Sequence, residues 1–306
     1  LNHSYTIPRV WDAVNDVARM IKELDPHHPA TTAIAGIRDE DILEILVRAP
    51  ALDFISFQAY GRIFELRETL ARLEFEQPFM ITEWGTIGWW EMEKTSWGAP
   101  VELTSSEKAD VFLRAYQDIM LPLSDSGRSL LSSAIMLPLA DQLLGTYAFF
   151  WGQKQERTPT WFGVLTMDGA QTEAADVLEY IWTGQWPAHR VARVEQLRID
   201  GKSARDNVIV QAGRDYPVHF EVSGADERAL TYRWEIKPES DATQVGGDYE
   251  AYIPSLDRAQ VPGNLASGQL LVAEPGAYRL FAYAEDDHGR VAHANIPLLV
   301  EDDLDQ

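Results

Sequence analysis

Apolar residues recur at Val10, Val14, Val17, Ile21 and Leu24, the spacing of one buried helix face, and Asp25-Pro26 should end that helix. Thr6 and Pro8 supply its cap and first turn. The stretch from His28 to Gly36 is small and β-branched and reads as an inner strand. Ile42, Leu43, Ile45, Leu46 and Val47 crowd a second helix too densely for one lying on a surface. Leu52 to Gly61 reads as a strand with a polar end, and Phe64 to Leu73 as an amphipathic helix. Phe79-Met80-Ile81, bounded by Pro78 and Gly85, forms a short apolar run typical of a strand buried in a parallel sheet. Thr104-Ser105-Ser106-Glu107 is a capping box, opening a helix that runs to about Leu121. Ser124 to Asp141 fits no single pattern. Leu144 to Trp151 predicts a further strand, and Thr172 to Trp182 a last helix closed by Gly184. Strands and helices that alternate at roughly 25-residue spacing predict successive βα units and a parallel sheet. The working edge of such a sheet lies at the C-terminal ends of its strands.

From about Val191 the helical period disappears. Short alternating runs replace it: 208–210, 218–222, 230–236, 278–283 and 292–300, with turns at Pro275-Gly276 and Asp287-His288-Gly289. About a hundred residues of that pattern predict a β-sandwich with Trp234 in its core. The expected division is 1–186, a linker at 187–195 and a sandwich at 196–302, with residues 185–190 as the hinge.

The 306 residues, 45% of them hydrophobic, suffice for two cores. A net charge of −22 argues against a nucleic-acid partner, since no cluster of Lys and Arg is present to neutralise phosphates. The chain has no cysteine, which excludes disulfides, thiolate metal sites and cysteine nucleophiles. No apolar run approaches the ~20 residues of a membrane span. No metal or cofactor is expected. The sequence starts at Leu1 with neither an initiator Met nor a signal peptide, so further sequence is expected upstream.

Candidate chemistry gathers at two strand ends. Ile81-Thr82-Glu83-Trp84-Gly85 places a carboxylate at the mouth of a buried strand, where desolvation is costly. Glu83 is there either for catalysis or for a salt bridge to a neighbouring loop. The following loop of about twenty residues carries Trp84, Trp89, Trp90 and Trp97. Their indoles either offer flat faces to sugar rings or pack the loop. The second strand end, Trp151 to Trp161, carries Gln153, Lys154, Glu156 and Arg157; Glu156 rivals Glu83, although its charged neighbours favour an ion pair. Gln58 and Gln153 are candidates to bind sugar hydroxyls. His27-His28 reads as structural, and Asp241, Asp248 and Glu250 lack the spacing of a calcium loop.

His28-Pro29, the Phe57-Gln58-Ala59-Tyr60-Gly61 strand end, Ile81 to Gly85 and Trp151 to Gly163 together resemble the catalytic barrel of glycoside hydrolases related to family 2, the β-galactosidase and β-glucuronidase group. The resemblance covers about residues 1–186. It implies a retaining hydrolase with Glu83 as nucleophile, Tyr60 hydrogen-bonding that nucleophile, and Trp151 flooring the reactive sugar subsite. Substrate contacts are also expected from Trp84, Trp89, Gln58 and Gln153, on the reading of the residues given above. Residues 230–234 and 278–300 resemble immunoglobulin-like or polycystic-kidney-disease-type modules attached to such enzymes. In the family the acid/base Glu stands in an Asn-Glu pair before a helix. Here Leu1-Asn2-His3 precedes the first helix, and no Asn-Glu pair substitutes.

The expected fold is therefore α/β plus all-β: strands five to eight of a TIM (β/α)₈ barrel, then an immunoglobulin-like sandwich. On that reading His3 lies at the strand-four mouth and contacts substrate, and the acid/base Glu lies just upstream of Leu1. The isolated chain is then expected to be inactive, and its open barrel edge to favour self-association. The expected function is retaining hydrolysis of β-linked oligo- or polysaccharides; the alternative is a non-catalytic carbohydrate-binding or adhesion protein with an aromatic cleft. Enzymes of this type argue for a periplasmic or secreted location.

Overall fold

Four short strands, β1 (Thr31–Ala35), β2 (Phe54–Gln58), β3 (Phe79–Trp84) and β4 (Leu143–Ala148), pair in parallel and in sequence order. The computed structural model describes residues 7–121, 142–224, 229–243, 248–257 and 259–302. Thr6, His3 and the stretch from Ser124 to Asp141 lie outside them. Helix α1 (Arg9–Leu24) precedes the sheet, and α2 (Asp39–Arg48), α3 (Leu66–Arg72) and α4 (Ser105–Ala115) fall in the successive crossovers. The strands follow one another in unreversed order, so the sheet is singly wound, without the reversal that marks a doubly wound sheet. Its core is apolar and aromatic: Ile34, Ile55, Phe57, Phe79 and Ile81 are buried. The rings of Phe57, Phe75 and Phe79 meet edge to face at 5.7–6.2 Å, each burial contributing roughly 1.5–3 kcal/mol.

Two helix faces differ from the pattern. In α1 the buried residues are Trp11, Asn15 and Ala18, while Val17 and Leu24 are exposed. Asn15 selects this face, because its Oδ1 accepts the Ala51 N–H at 3.0 Å, and Trp11 buries more area than any valine. In α2 only Ile42 and Ile45 of the apolar run are fully buried, and Leu43 and Val47 are exposed. The capping box of α4 closes as its sequence implies. Thr104 N–H donates to Glu107 Oε2 at 2.8 Å, and Glu107 N–H donates to Thr104 Oγ1 at 3.1 Å. A π-helical turn, Tyr116–Met120, extends α4. No helix among the described residues is long and apolar enough to cross a membrane.

The remaining strands build two further sheets. Strands β6 (Val208–Gln211), β11 (Val291–Glu301), β10 (Gly276–Glu285) and β8 (Thr231–Pro238) form one in that order. Strands β5 (Arg193–Ile199), β7 (Asp215–Ser223) and β9 (Ser267–Leu271) form the other. Their inner faces share a single core that includes Leu197, Phe220, Leu270, Trp234, Leu280 and Ile296, as in a sandwich. Trp234 is buried there, and its indole N–H donates to Leu265 O at 2.8 Å. Strand β5 starts at Arg193, inside the stretch read as linker, and Val191 and Ala192 already belong to the sandwich core. Helix α5 (Glu173–Thr183) ends on Gly184 at φ +73° as the sequence implies.

Packing divides the chain into two compact units, Leu1–Gly85 with Leu113–Phe149 and Thr86–Phe112 with Phe150–Gln306. Within the second unit, segments from outside the sandwich cover the outer face of its four-stranded sheet. Ala170 packs on Phe281, Tyr283 and Val291. Glu102, with no exposed side-chain surface, forms an ion pair with Lys108 and accepts hydrogen bonds from Thr158 Oγ1 (2.6 Å), Thr160 Oγ1 (2.8 Å) and Asn295 Nδ2 (2.7 Å). Buried Arg279 donates to Asn295 Oδ1 (2.7 Å), to Pro100 O (2.8 Å) and to Glu239 (2.7 and 3.0 Å). Burial opposes the charge on Glu102, but Lys108 and Arg279 outweigh it and hold the carboxyl at about 2. Burial depresses the His293 imidazole to about 3 and pushes the Tyr283 hydroxyl up. A second clasp holds α5, where Arg290, in the turn between β10 and β11, reaches Asp176 at 2.5 Å and Val191 N–H, just ahead of β5, donates to Asp176 at 2.7 Å.

Candidate functional site

The C-terminal edge of the parallel sheet gathers four of the residues that the sequence singled out. Gln58 ends β2, Tyr60 follows it, and Glu83 and Trp84 end β3. The backbone is laced across this edge by Gly36 N–H to Gln58 O (2.7 Å), Ala59 N–H to Glu83 O (2.9 Å) and Phe149 N–H to Trp84 O (2.6 Å). Gln58 and Glu83 are register partners, both half-buried. Tyr60 is buried and meets the Phe149 ring edge-on at 5.9 Å. Trp84 is fully buried, so its indole belongs to the core of the edge and shows no open face.

An irregularity sits under Glu83. Strand β2 pairs Phe57 with Ile81 and then Gln58 with Glu83, skipping Thr82. Strand β4 pairs Thr146 with Ile81 and then Ala148 with Trp84, so β3 holds an extra residue against both neighbours. Bulges of this kind break the two-residue alternation and re-aim the side chain at the bulge. Thr82 Oγ1, 3.4 Å from Phe57 O, lies within the bulge. Nothing in the run Ile81 to Gly85 marks the extra residue, because a bulge is defined by the partner strands.

The other named residues belong to the second unit. Trp151 is 58% exposed and lies 6.0 Å from Trp182, itself 61% exposed, with the two rings tilted at 45°. Trp182 had no sequence signal beyond its place at a helix end. Gln153 uses its amide N–H on Pro159 O at 3.0 Å. Trp89 corrects the picture of an open row of indoles. It is buried, it donates its N–H to Glu156 Oε1 at 3.1 Å, and it lies under the Arg157 guanidinium at 4.0 Å. Of its neighbours, Trp90 keeps partial exposure while leaning on Trp89 and Phe162. Glu156 is engaged by Lys154 at 2.5 Å and by Trp89, the ion-pair role its neighbours suggested. Glu250 accepts hydrogen bonds from Arg157 and Ser240, and no cluster of His, Cys, Asp or Glu among the described residues could hold a metal ion.

No known family model matches the chain, and no curated protein is similar to it in sequence. Solved structures are similar to it in part. The β-glucuronidase of Parabacteroides merdae is 11% identical over 96% of this chain and 34% of its own, with a TM-score of 0.33. The α-L-arabinofuranosidase of Thermotoga maritima is 10% identical over 95% of this chain and 62% of its own, with a TM-score of 0.39. A polycystic-kidney-disease-type domain is 15% identical over 36% of this chain and 88% of its own, with a TM-score of 0.21. The chain spans about a third of the length of the glucuronidase it partly matches.

Proposed function

We propose that the chain is part of a retaining O-glycoside hydrolase acting on β-linked oligo- or polysaccharides by double displacement, with Glu83 as nucleophile. The observation that carries the reading is the bulge that sets Glu83 apart from a regular strand at the C-terminal edge of a singly wound parallel sheet, register-paired with Gln58 and next to the strand end bearing Tyr60. In singly wound α/β barrels this edge is where catalytic groups are held. The Tyr60 hydroxyl is proposed to hold the carboxylate in its attacking geometry, and Gln58 to bind a sugar hydroxyl. From the resemblance, Trp151 is proposed to stack on the sugar, with Gln153 as a further contact.

Retaining chemistry requires a second carboxyl about 5–5.5 Å from the nucleophile, first as acid and then as base. The resemblance assigns that role to a Glu ahead of Leu1. The proposed organisation is the C-terminal half of a TIM barrel at 1–186, followed by an immunoglobulin-like sandwich whose core begins at Val191 and whose first strand begins at Arg193.

Incubating the full-length protein with a panel of 2-deoxy-2-fluoro-β-glycosyl fluorides and mapping its peptides by mass spectrometry tests the reading. A sugar adduct on Glu83, absent in Glu83→Gln, is expected. Wild-type turnover in Glu83→Gln would sink the assignment. The exposed Trp151 and Trp182 pair favours a second reading, a carbohydrate-binding protein without chemistry. Oligosaccharide binding with no adduct from any sugar would select it.

A further inference from the structure

The sandwich segment that follows β8 reaches the tip of the 151–161 loop, and that contact has a specific shape. The loop is pinned at its neck by Phe150 N–H to Phe162 O (3.2 Å), Val164 N–H to Phe150 O (3.1 Å) and Leu165 N–H to Gly152 O (3.3 Å). Gly163 is required there, since a Cβ on it would stand 2.7 Å from the carbonyl oxygens of Gly152 and Leu165. Inside the loop, Glu156 and Thr158 bridge each other, N–H to O, at 3.1 and 2.7 Å. This tight turn forces Arg157 to φ +61°, a left-handed conformation that a residue with a Cβ resists. The tip is held in that state from outside the loop. Arg157 N–H donates to Glu250 Oε2 at 2.5 Å, while its guanidinium donates to Ala242 O and covers Trp89. Ser240 Oγ lies 3.3 Å from the second Glu250 oxygen and fixes the carboxylate.

We propose that Glu250 is a positioning residue: by capping the left-handed backbone of Arg157 it keeps the 151–161 loop in one conformation, and with it the indole of Trp151 and the amide of Gln153. The claim rests on the reading above that these two side chains meet the sugar. The sandwich then acts in binding without touching the ligand, since a carboxylate on one of its segments sets the shape of a loop that does.

Two measurements on the full-length protein test this with Glu250→Ala, Glu250→Gln and Trp151→Ala. The first is limited trypsin digestion, which reads release of the loop as cleavage after Lys154 and Arg157. The second is the concentration dependence of inactivation by the 2-deoxy-2-fluoro-β-glycosyl fluoride panel. Glu250→Ala is expected to speed cleavage after Arg157 about tenfold, because proteolysis follows local opening. It should also raise the half-saturating inactivator concentration about tenfold while leaving the limiting rate within about twofold, the signature of lost binding rather than lost chemistry. Glu250→Gln, whose amide oxygen still accepts the Arg157 N–H, should return both readings most of the way to wild type.

Unchanged cleavage in Glu250→Ala overturns the clamp, whatever the sugar data show. Faster cleavage with unaltered half-saturation, alongside weakened labelling of Trp151→Ala, overturns the link from clamp to binding. If Trp151→Ala is labelled like wild type, or if no sugar labels wild type, the underlying sugar reading fails. The positioning claim then falls with it, and the trypsin result alone decides the clamp.

Discussion

Glu102 is a carboxylate with no side-chain surface in water that remains ionised because five neighbours face it: Lys108, Thr158, Thr160, Asn295 and, through Asn295, Arg279. Removing Lys108 leaves the Glu102 charge buried without its ion-pair partner. Lys108→Met should therefore cost about 3–5 kcal/mol, read as a lower urea midpoint, and Glu102→Met combined with it should recover part of the loss. A loss below about 1 kcal/mol would show that water reaches the carboxylate. The sequence did not reveal this cluster, because Glu102 and Asn295 are 193 residues apart and neither belongs to a motif. The place of Glu83 near the end of a strand was legible because its signal is local, an apolar strand that ends on an acid. What local reading could not supply was the extra residue at Thr82, which only the register against β2 and β4 exposes.

At the scale of elements, the signals carried by neighbouring residues were the readable ones. The box Thr104 to Glu107 closes both of its hydrogen bonds. Thr104→Ala should cost about 0.5–2 kcal/mol, and thermal melting by circular dichroism would check it. Because α4 carries Lys108 at its first turn, the melt should report loosening of the Glu102 cluster too; an unchanged melting temperature would make the box ornamental. Patterns that needed a partner misled or stayed silent. Valine spacing in α1 pointed to one face, yet Trp11 and the hydrogen-bonding Asn15 set another. Strand β5 carries no readable alternation, because Arg193, Glu195, Gln196 and Arg198 outnumber its apolar positions, and β9 carries none, because Ser267, Gly268 and Gln269 make it look like a turn.

For the molecule as a whole, acid should act mainly on the second unit. His293 is held neutral, its pKa depressed from the ordinary 6.5 to about 3. As pH falls below about 6.5 the unfolded chain binds a proton that the folded chain refuses, so stability declines until about pH 3. Glu102, lowered from 4.5 to about 2, adds a second loss below about pH 4.5, since the unfolded carboxyl protonates first. Both contributions are lost as pH drops and regained as it rises, while Glu173 and Asp176, whose carboxyls burial pushes up, act in the opposite sense. Urea midpoints at pH 7, 5.5 and 4 would measure the decline, and His293→Gln should flatten the upper part of the curve. An equal slope in the variant would assign the acid sensitivity elsewhere.

The hydrogen bond from Asn295 to Glu102 also has a meaning in time. A ribosome adds about 5–20 residues per second, so the 193 residues between those partners take roughly 10–40 s to emerge. For that interval the nascent chain carries Glu102, Lys108 and the 86–112 segment with their final surroundings not yet synthesised. Sandwich strands β10 and β11 are made last and close a unit whose first residues have waited since Thr86. The sandwich therefore cannot be treated as a cassette to be spliced off, by evolution or by protein engineering, because its removal would strand a buried carboxylate and lysine that were translated long before it.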